Sequence, residues 1–197
     1  AARISGWTQP VLLLELAAGV LLVVATGRHA PLGSHTRSSS MRTLTTSAPS
    51  RALTAQSAYV HFPFCRRRCH YCDFPVIPVG DRPHAADGPA SSYTSLLLRE
   101  LACLPEPSPS SPPLRSLYFG GGTPSLTPPS LLAQTIESIR AKFGLADDAE
   151  TTLEMDPGTF DAARLREFVD AGVTRVSVGV QSFDDALLRA SGRAHGV

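Results

Sequence analysis

Lysine is almost missing from this chain: Lys142 is the only one among 18 basic residues. Acidic residues are missing from one long stretch, with none between Glu15 and Asp73. Cysteine is scarce, at 4 residues, which excludes a secreted scaffold held together by disulfides. The most apolar stretch, Val11–Ala25, is interrupted by Glu15 and falls short of the ~20 residues a spanning helix needs. Net charge is +1 and arginine is spread through every segment. A chain that binds nucleic acid or an anionic surface through its overall charge is thereby excluded.

The composition shifts near Ser57. Residues 25–56 are rich in Ser, Thr, Ala and Arg, so 1–57 reads as a disordered N-terminal or targeting segment. MRTLTTSAPSRALTAQ, from Met41, has the composition of a transit peptide to a mitochondrion or chloroplast. The alternative is a plain disordered tail on a cytoplasmic protein. Val11–Ala25 fits a signal-like core, a weak anchor or upstream sequence removed from the mature protein. A first residue of Ala1 rather than Met favours a fragment or a conceptual translation.

What is present is concentrated in HFPFCRRRCHYCDF. Cys65, Cys69 and Cys72 are spaced Cys-x3-Cys-x2-Cys, with no fourth cysteine nearby. Three thiolates ligate three irons of a [4Fe-4S] cluster and leave the fourth iron open. An open iron binds a small molecule and passes it an electron, whereas a fully ligated cluster only relays charge. Zinc competes for the same thiols, but its structural sites take four ligands. His61, His70 or Cys103 would be the fourth. Cys103, on a predicted helix, reads instead as a small packed apolar residue. The run Arg66–Arg68 either raises local potential and favours thiolates or is simply solvated.

Hydrophobic content of 43% and charged content of 18% suit a packed core, and after residue 57 strand and helix patterns alternate. A strand is predicted at Ala58–Pro63, then the cysteine loop and an exposed Pro/Gly/Asp-rich connection over 75–92. Tyr93–Leu104 is predicted helical, with Leu96, Leu97 and Leu101 on one face. Leu114–Phe119 is a strand running into Gly120–Gly122. A helix follows to Phe143, capped by Thr127 ahead of Pro128 and Pro129 and stopped by Gly144. Thr151–Met155 and Val173–Gln181 are strands, and Asp161–Ala171 and Asp184–Ser191 helices. A helix after every strand implies parallel strands and right-handed crossovers, in a doubly wound sheet or part of a (βα) barrel.

The notable residues obey one placement rule. The cysteine loop, Gly120–Thr123, Glu154 and Gln181 each follow or end a predicted strand, and Arg193 lies one helix later. Ligand sites of parallel α/β proteins gather at the carboxyl ends of strands. Taken singly, the glycines could be a tight turn, Glu154 a surface acid, Gln181 a strand-end cap and Arg193 a solvated residue. His61 and His195 receive no role.

YVHFPFCRRRCHYCDF, FGGGTPS, LEMDPGT and VSVGVQSFDDALLRASGRAH resemble the radical S-adenosylmethionine (SAM) superfamily. Within it they resemble the oxygen-independent coproporphyrinogen III oxidase group, most closely its HemW-type haem chaperone branch. The resemblance runs almost continuously over 58–197. It implies an α/β fold: a partial, TIM-like (βα) barrel cut after about four βα units, with 58–197 as the N-terminal part of the core. It further implies that Cys65, Cys69 and Cys72 ligate the cluster and that SAM chelates the open iron. Reduction then breaks the sulfonium bond to give a radical that abstracts hydrogen. Tyr59 and Tyr71 would line the SAM site. Gly121, Gly122 and Thr123 would bring backbone to the methionine end, Glu154 would accept the ribose hydroxyls, Gln181 would complete the wall, and Arg193 would hold the carboxylate.

The oxidase branch carries another cysteine two positions after the third, where this chain has Phe74. That departure favours haem handling and handover over oxidative decarboxylation of a porphyrinogen. The implied partners are haem or porphyrinogen, an electron-donor protein and a haem acceptor, without nucleic acid. Half a barrel would leave its last strand as an unpaired edge, so 58–197 alone is expected to fold poorly or to be inert.

Overall fold

The computed structural model describes residues 11–15, 21–26 and 55–197. The transit-like stretch from Met41 lies outside these residues up to Thr54; its last two residues, Ala55 and Gln56, open a strand. The expected domain boundary at residue 57 therefore falls within that strand.

The elements are β1 (Val11–Glu15), β2 (Leu21–Thr26), β3 (Ala55–Phe62), β4 (Phe64–Cys65), β5 (Ile77–Pro78), α1 (Asp87–Cys103), β6 (Leu114–Gly121), α2 (Pro129–Phe143), β7 (Leu145–Met155), α3 (Ala162–Asp170), β8 (Arg175–Val178) and α4 (Asp185–Ala190). A six-stranded sheet has the order β1-β2-β3-β6-β7-β8. Its β3-β6-β7-β8 part is parallel, and β1 and β2 add to the β3 edge in antiparallel fashion. Among the described residues β8 pairs only with β7. The four parallel strands with their intervening helices are the α/β architecture the strand–helix alternation implies.

Periodicity explains the core. Ala58, Val60 and Phe62 alternate along β3, and Leu117 and Phe119 do so along β6; all are buried. Ala90, Thr94, Leu97 and Leu101 form the buried stripe of α1, and Leu132, Thr135, Ile136 and Ile139 that of α2. Phe168 of α3 is fully enclosed, with the Arg164 guanidinium 5.6 Å from its ring centre. Asp161 caps α3 by accepting from Arg164 N at 2.8 Å, and Asp184 caps α4 by accepting from Ala186 N at 2.7 Å.

Several boundaries differ from the sequence reading. Helix α1 starts at Asp87, not Tyr93, because Pro89 falls in the first turn, where a missing N–H costs nothing. Thr127 does not cap α2: its amide closes the short 3-10 turn Pro124–Leu126, and its hydroxyl is buried without a partner. Strand β7 begins at Leu145, earlier than Thr151, its pairing with β6 resuming after an irregularity between Leu114 and Ser116. Strand β8 ends at Val178, before Gln181, whose φ of 66° is incompatible with a continuing strand. Cys103 is exposed rather than packed.

Candidate functional site: a three-thiol cavity at the strand ends

A cavity of about 360 Å³ opens where β6, β7 and β8 end. Its volume lies in the range of small-molecule sites. Cys65, Cys69 and Cys72 line it together with Tyr71, Gly121, Gly122, Thr123, Glu154, Gln181 and Arg193. Residues as far apart in the chain as Cys65 and Arg193 thus meet because each follows a parallel strand or the helix after it.

The cysteine loop is fastened by main chain. Ile77 N donates to Pro63 O at 2.7 Å, Val79 N to Cys65 O at 2.8 Å and Gly80 N to Arg66 O at 3.1 Å. Gly122 N and Thr123 N donate to Phe62 O and Phe64 O at 2.8 and 2.7 Å. These bonds require a very close approach. A side chain at Gly122 would place its Cβ 2.7 Å from Phe64 O, and one at Gly121 would enter the His61 ring. Gly121 also has φ of 111°, open in practice to glycine alone. Contact with the cysteine loop therefore accounts for these two glycines before any ligand is considered.

His61 is the buried wedge beneath that loop. Its Nε2 donates to Pro75 O at 3.2 Å, and its Nδ1 accepts from Tyr59 OH at 3.3 Å. Burial pushes its pKa below the usual imidazole value, with Pro75 O and Glu154 pulling the other way. Tyr59 does not line the cavity. Its ring is stacked on Tyr118 at 5.9 Å, behind Gly120, and its hydroxyl is turned to His61. The β3 register places Tyr59 in the wall behind Gly120.

Glu154 closes one side. Its Oε1 accepts from Tyr118 OH at 2.7 Å and its Oε2 from Gly121 N at 3.3 Å. Burial and this carboxylate push the Tyr118 phenol up to about 12, so it remains a donor. Gln181, in its left-handed conformation, lines the cavity and is exposed. Thr123 Oγ1 donates to Cys65 Sγ at 3.4 Å. Burial pushes the Cys65 thiol up, and the Thr123 hydrogen bond opposes it.

Arg193 is not a solvated residue. Its Nη2 donates to Asp156 Oδ2 at 2.5 Å and to Gly179 O at 2.6 Å, and its Nη1 reaches Cys69 Sγ at 3.5 Å and Tyr71 OH at 3.4 Å. His195 supports the same carboxylate from Nδ1 at 3.3 Å and is only 5% exposed. Burial pushes the Asp156 carboxyl up, with Arg193 and His195 pulling it down. Asp156, His195 and Tyr118 are site residues that the sequence reading passed over. Asp156 had one available signal, its position just past a strand end.

The three thiols fit a polynuclear centre better than a single zinc ion. Both His61 nitrogens are engaged, and neither His70 nor Cys103 lines the cavity, so none of the fourth ligands considered for zinc faces the thiols there. Three thiols that line one cavity suit a cluster in which each ligates a different iron.

Fold and site together define an α/β protein with a three-cysteine centre and a polar ligand cavity at the carboxyl ends of its parallel strands. The profile of the radical SAM superfamily matches residues 59–197, and the chain belongs to that superfamily. Membership implies a [4Fe-4S] cluster and SAM. The chain is 42% identical over 143 residues to the heme chaperone HemW of Synechocystis sp., covering 73% of this chain and 34% of that protein. It is 42% identical over 149 residues to radical S-adenosyl methionine domain-containing protein 1, mitochondrial, of Danio rerio, covering 76% and 32%. It is 40% identical over 139 residues to the oxygen-independent coproporphyrinogen III oxidase of Cereibacter sphaeroides, covering 70% and 29%. The solved structure of coproporphyrinogen III oxidase (HemN) from Escherichia coli, a radical SAM enzyme, matches with a TM-score of 0.59 at 28% identity, covering 70% of this chain and 30% of that one. The chain spans about a third of the length of these relatives.

Proposed function

We propose that this chain is the cofactor-binding part of a haem-metabolism protein that holds a [4Fe-4S] cluster and SAM and delivers haem to an acceptor protein. The observation that carries the reading is the opening of Cys65, Cys69 and Cys72 onto one cavity that also contains a fixed carboxylate, Glu154. The cysteines hold the cluster. Glu154, oriented by Tyr118 and Gly121 N, has oxygens positioned to accept the hydroxyls of a ribose. Gly121, Gly122, Thr123, Tyr71 and Gln181 supply backbone and wall. When bound, cluster and SAM supply one-electron cleavage of a carbon–sulfur bond, for which an electron-donor protein is required. The residues described here bind, orient and exclude water from that chemistry.

Phe74 favours haem handling over porphyrinogen oxidation. It is 54% exposed and lines the cavity at the place where the oxidase branch carries a further cysteine. The HemW and mitochondrial relatives support the same branch, and the latter support a mitochondrial location. The second reading is a coproporphyrinogen III oxidase, supported by relatives of that name at 40% and 36% identity.

Anaerobic reconstitution of the full-length protein tests the proposal. The expected results are a cluster whose electron paramagnetic resonance spectrum changes on adding SAM, and haem bound without turnover. A colourless protein holding zinc would overturn the cluster. Protoporphyrinogen formed from coproporphyrinogen III, SAM and a reductant would replace the chaperone reading by the oxidase one.

A further inference from the structure

Both terminal nitrogens of Arg193 have partners within the protein. Nη2 is committed to Asp156 at 2.5 Å and to Gly179 O at 2.6 Å. Nη1 divides its two protons between Cys69 Sγ and Tyr71 OH. Only Nε lacks a partner, and it is buried. The side chain is 8% exposed, clamped by Asp156 and His195, and aimed at a thiol 124 residues earlier in the chain.

We propose that Arg193, held by Asp156 and His195, is a positioning residue of the cluster, donating to the Cys69 sulfur and raising the cluster's reduction potential. The inference rests on the reading of Cys69 as a cluster ligand. The physics is direct. Reduction adds negative charge to a cluster and its thiolates, and an N–H donor bearing a fixed positive charge at a ligand sulfur stabilises that charge. Asp156 sits on the opposite terminal nitrogen, so it orients the guanidinium without standing between Nη1 and the sulfur. Thr123 Oγ1 occupies the equivalent place at Cys65 Sγ, at 3.4 Å. Two of the three thiols therefore have a side-chain donor. Arg68, in the same loop, gives a contrast: it is exposed, and its Nη2 donates to Cys72 O at 2.9 Å.

The test is a redox titration of the reconstituted full-length protein without SAM, read by electron paramagnetic resonance, alongside iron and sulfide counts. R193Q is expected to disfavour reduction at least tenfold, a fall of about 59 mV for one electron. R193K, which keeps the charge but not the fork, is expected to lie between R193Q and the parent, and it carries the test alone should R193Q fail to fold. R68Q is expected to shift the potential less than R193Q. Parent potentials in both Arg193 variants would overturn the inference, including the case where only SAM affinity falls. An equal fall in R68Q would also overturn it, by assigning the effect to loop charge. A parent protein that assembles no [4Fe-4S] cluster would instead overturn the underlying reading, an outcome visible before any variant is titrated.

Discussion

The Tyr118 hydroxyl donates to Glu154 Oε1 at 2.7 Å from the neighbouring parallel strand, and this bond decides how the cavity's carboxylate is aimed. Gly121 N fixes the other oxygen at 3.3 Å. Y118F removes one of these two constraints and leaves the ring stacked on Tyr59. A hydrogen bond to a carboxylate contributes about 1.5–3 kcal/mol, and the half-exposed setting of this one places the expected loss near the lower figure. Denaturant titration measures it. SAM affinity should fall with stability, since Glu154 then samples several rotamers. E154Q should weaken SAM binding at least about tenfold, or ~1.4 kcal/mol, while iron content is unchanged. Unaltered SAM affinity in E154Q would remove Glu154 from the ligand site.

G121A is expected to be among the most damaging single substitutions in the chain. The new Cβ meets the His61 ring, and φ of 111° is unfavourable for any residue with a side chain. Strain of this kind costs about 1–3 kcal/mol, and overpacking adds a similar amount. The His61 ring cannot retreat easily, because both of its nitrogens are bonded. Thermal unfolding should show the loss in the apoprotein. A loss seen only in the SAM-bound state would reassign Gly121 from loop seating to ligand approach.

The sequence made the site easier to read than its supports. Cys65, Cys69 and Cys72 announce themselves by spacing, and Gly121, Glu154 and Gln181 by following strands. Parallel pairing follows from the alternation of patterns, and the buried stripes of α1 and α2 follow from helical period. The stacking of Tyr59 on Tyr118 was not legible, because β-strand alternation gives which face a residue takes but not which layer lies behind it. The Asp156–Arg193–His195 network was invisible because Asp156 is distant in sequence from Arg193 and His195 and each has an ordinary surface explanation. The early start of α1 was hidden by Pro89, which resembles a breaker wherever its position in the turn is unknown.

Acid should weaken the apoprotein through His61. Burial lowers its folded-state pKa, while the unfolded chain titrates near the ordinary value of about 6.5. Between the two values the unfolded chain binds more protons, so stability rises with pH through this window and declines as pH drops below about 6.5. Protonation would also place a proton on Nδ1, which accepts from Tyr59 OH in the neutral form. Melting temperature followed from pH 7.5 down to 5 should decline in the parent and decline less in H61Q, although H61Q starts lower. Parallel curves for the two proteins would show that the acid sensitivity belongs to other groups.

Cysteine substitutions separate the cluster ligands from the thiol that is not one. C65S, C69S and C72S should each lower bound iron severely on anaerobic reconstitution, because a serine oxygen is a poor substitute for thiolate on a soft iron–sulfur core. C103S, at the exposed end of α1, should retain parent iron and sulfide content. The visible absorbance of the charged protein and its iron-to-protein ratio read all four variants together. Iron retained in any one of the three loop variants would mean that the loop holds its metal through fewer thiols than three, and the open-iron chemistry would then have to be rebuilt around a different ligand set.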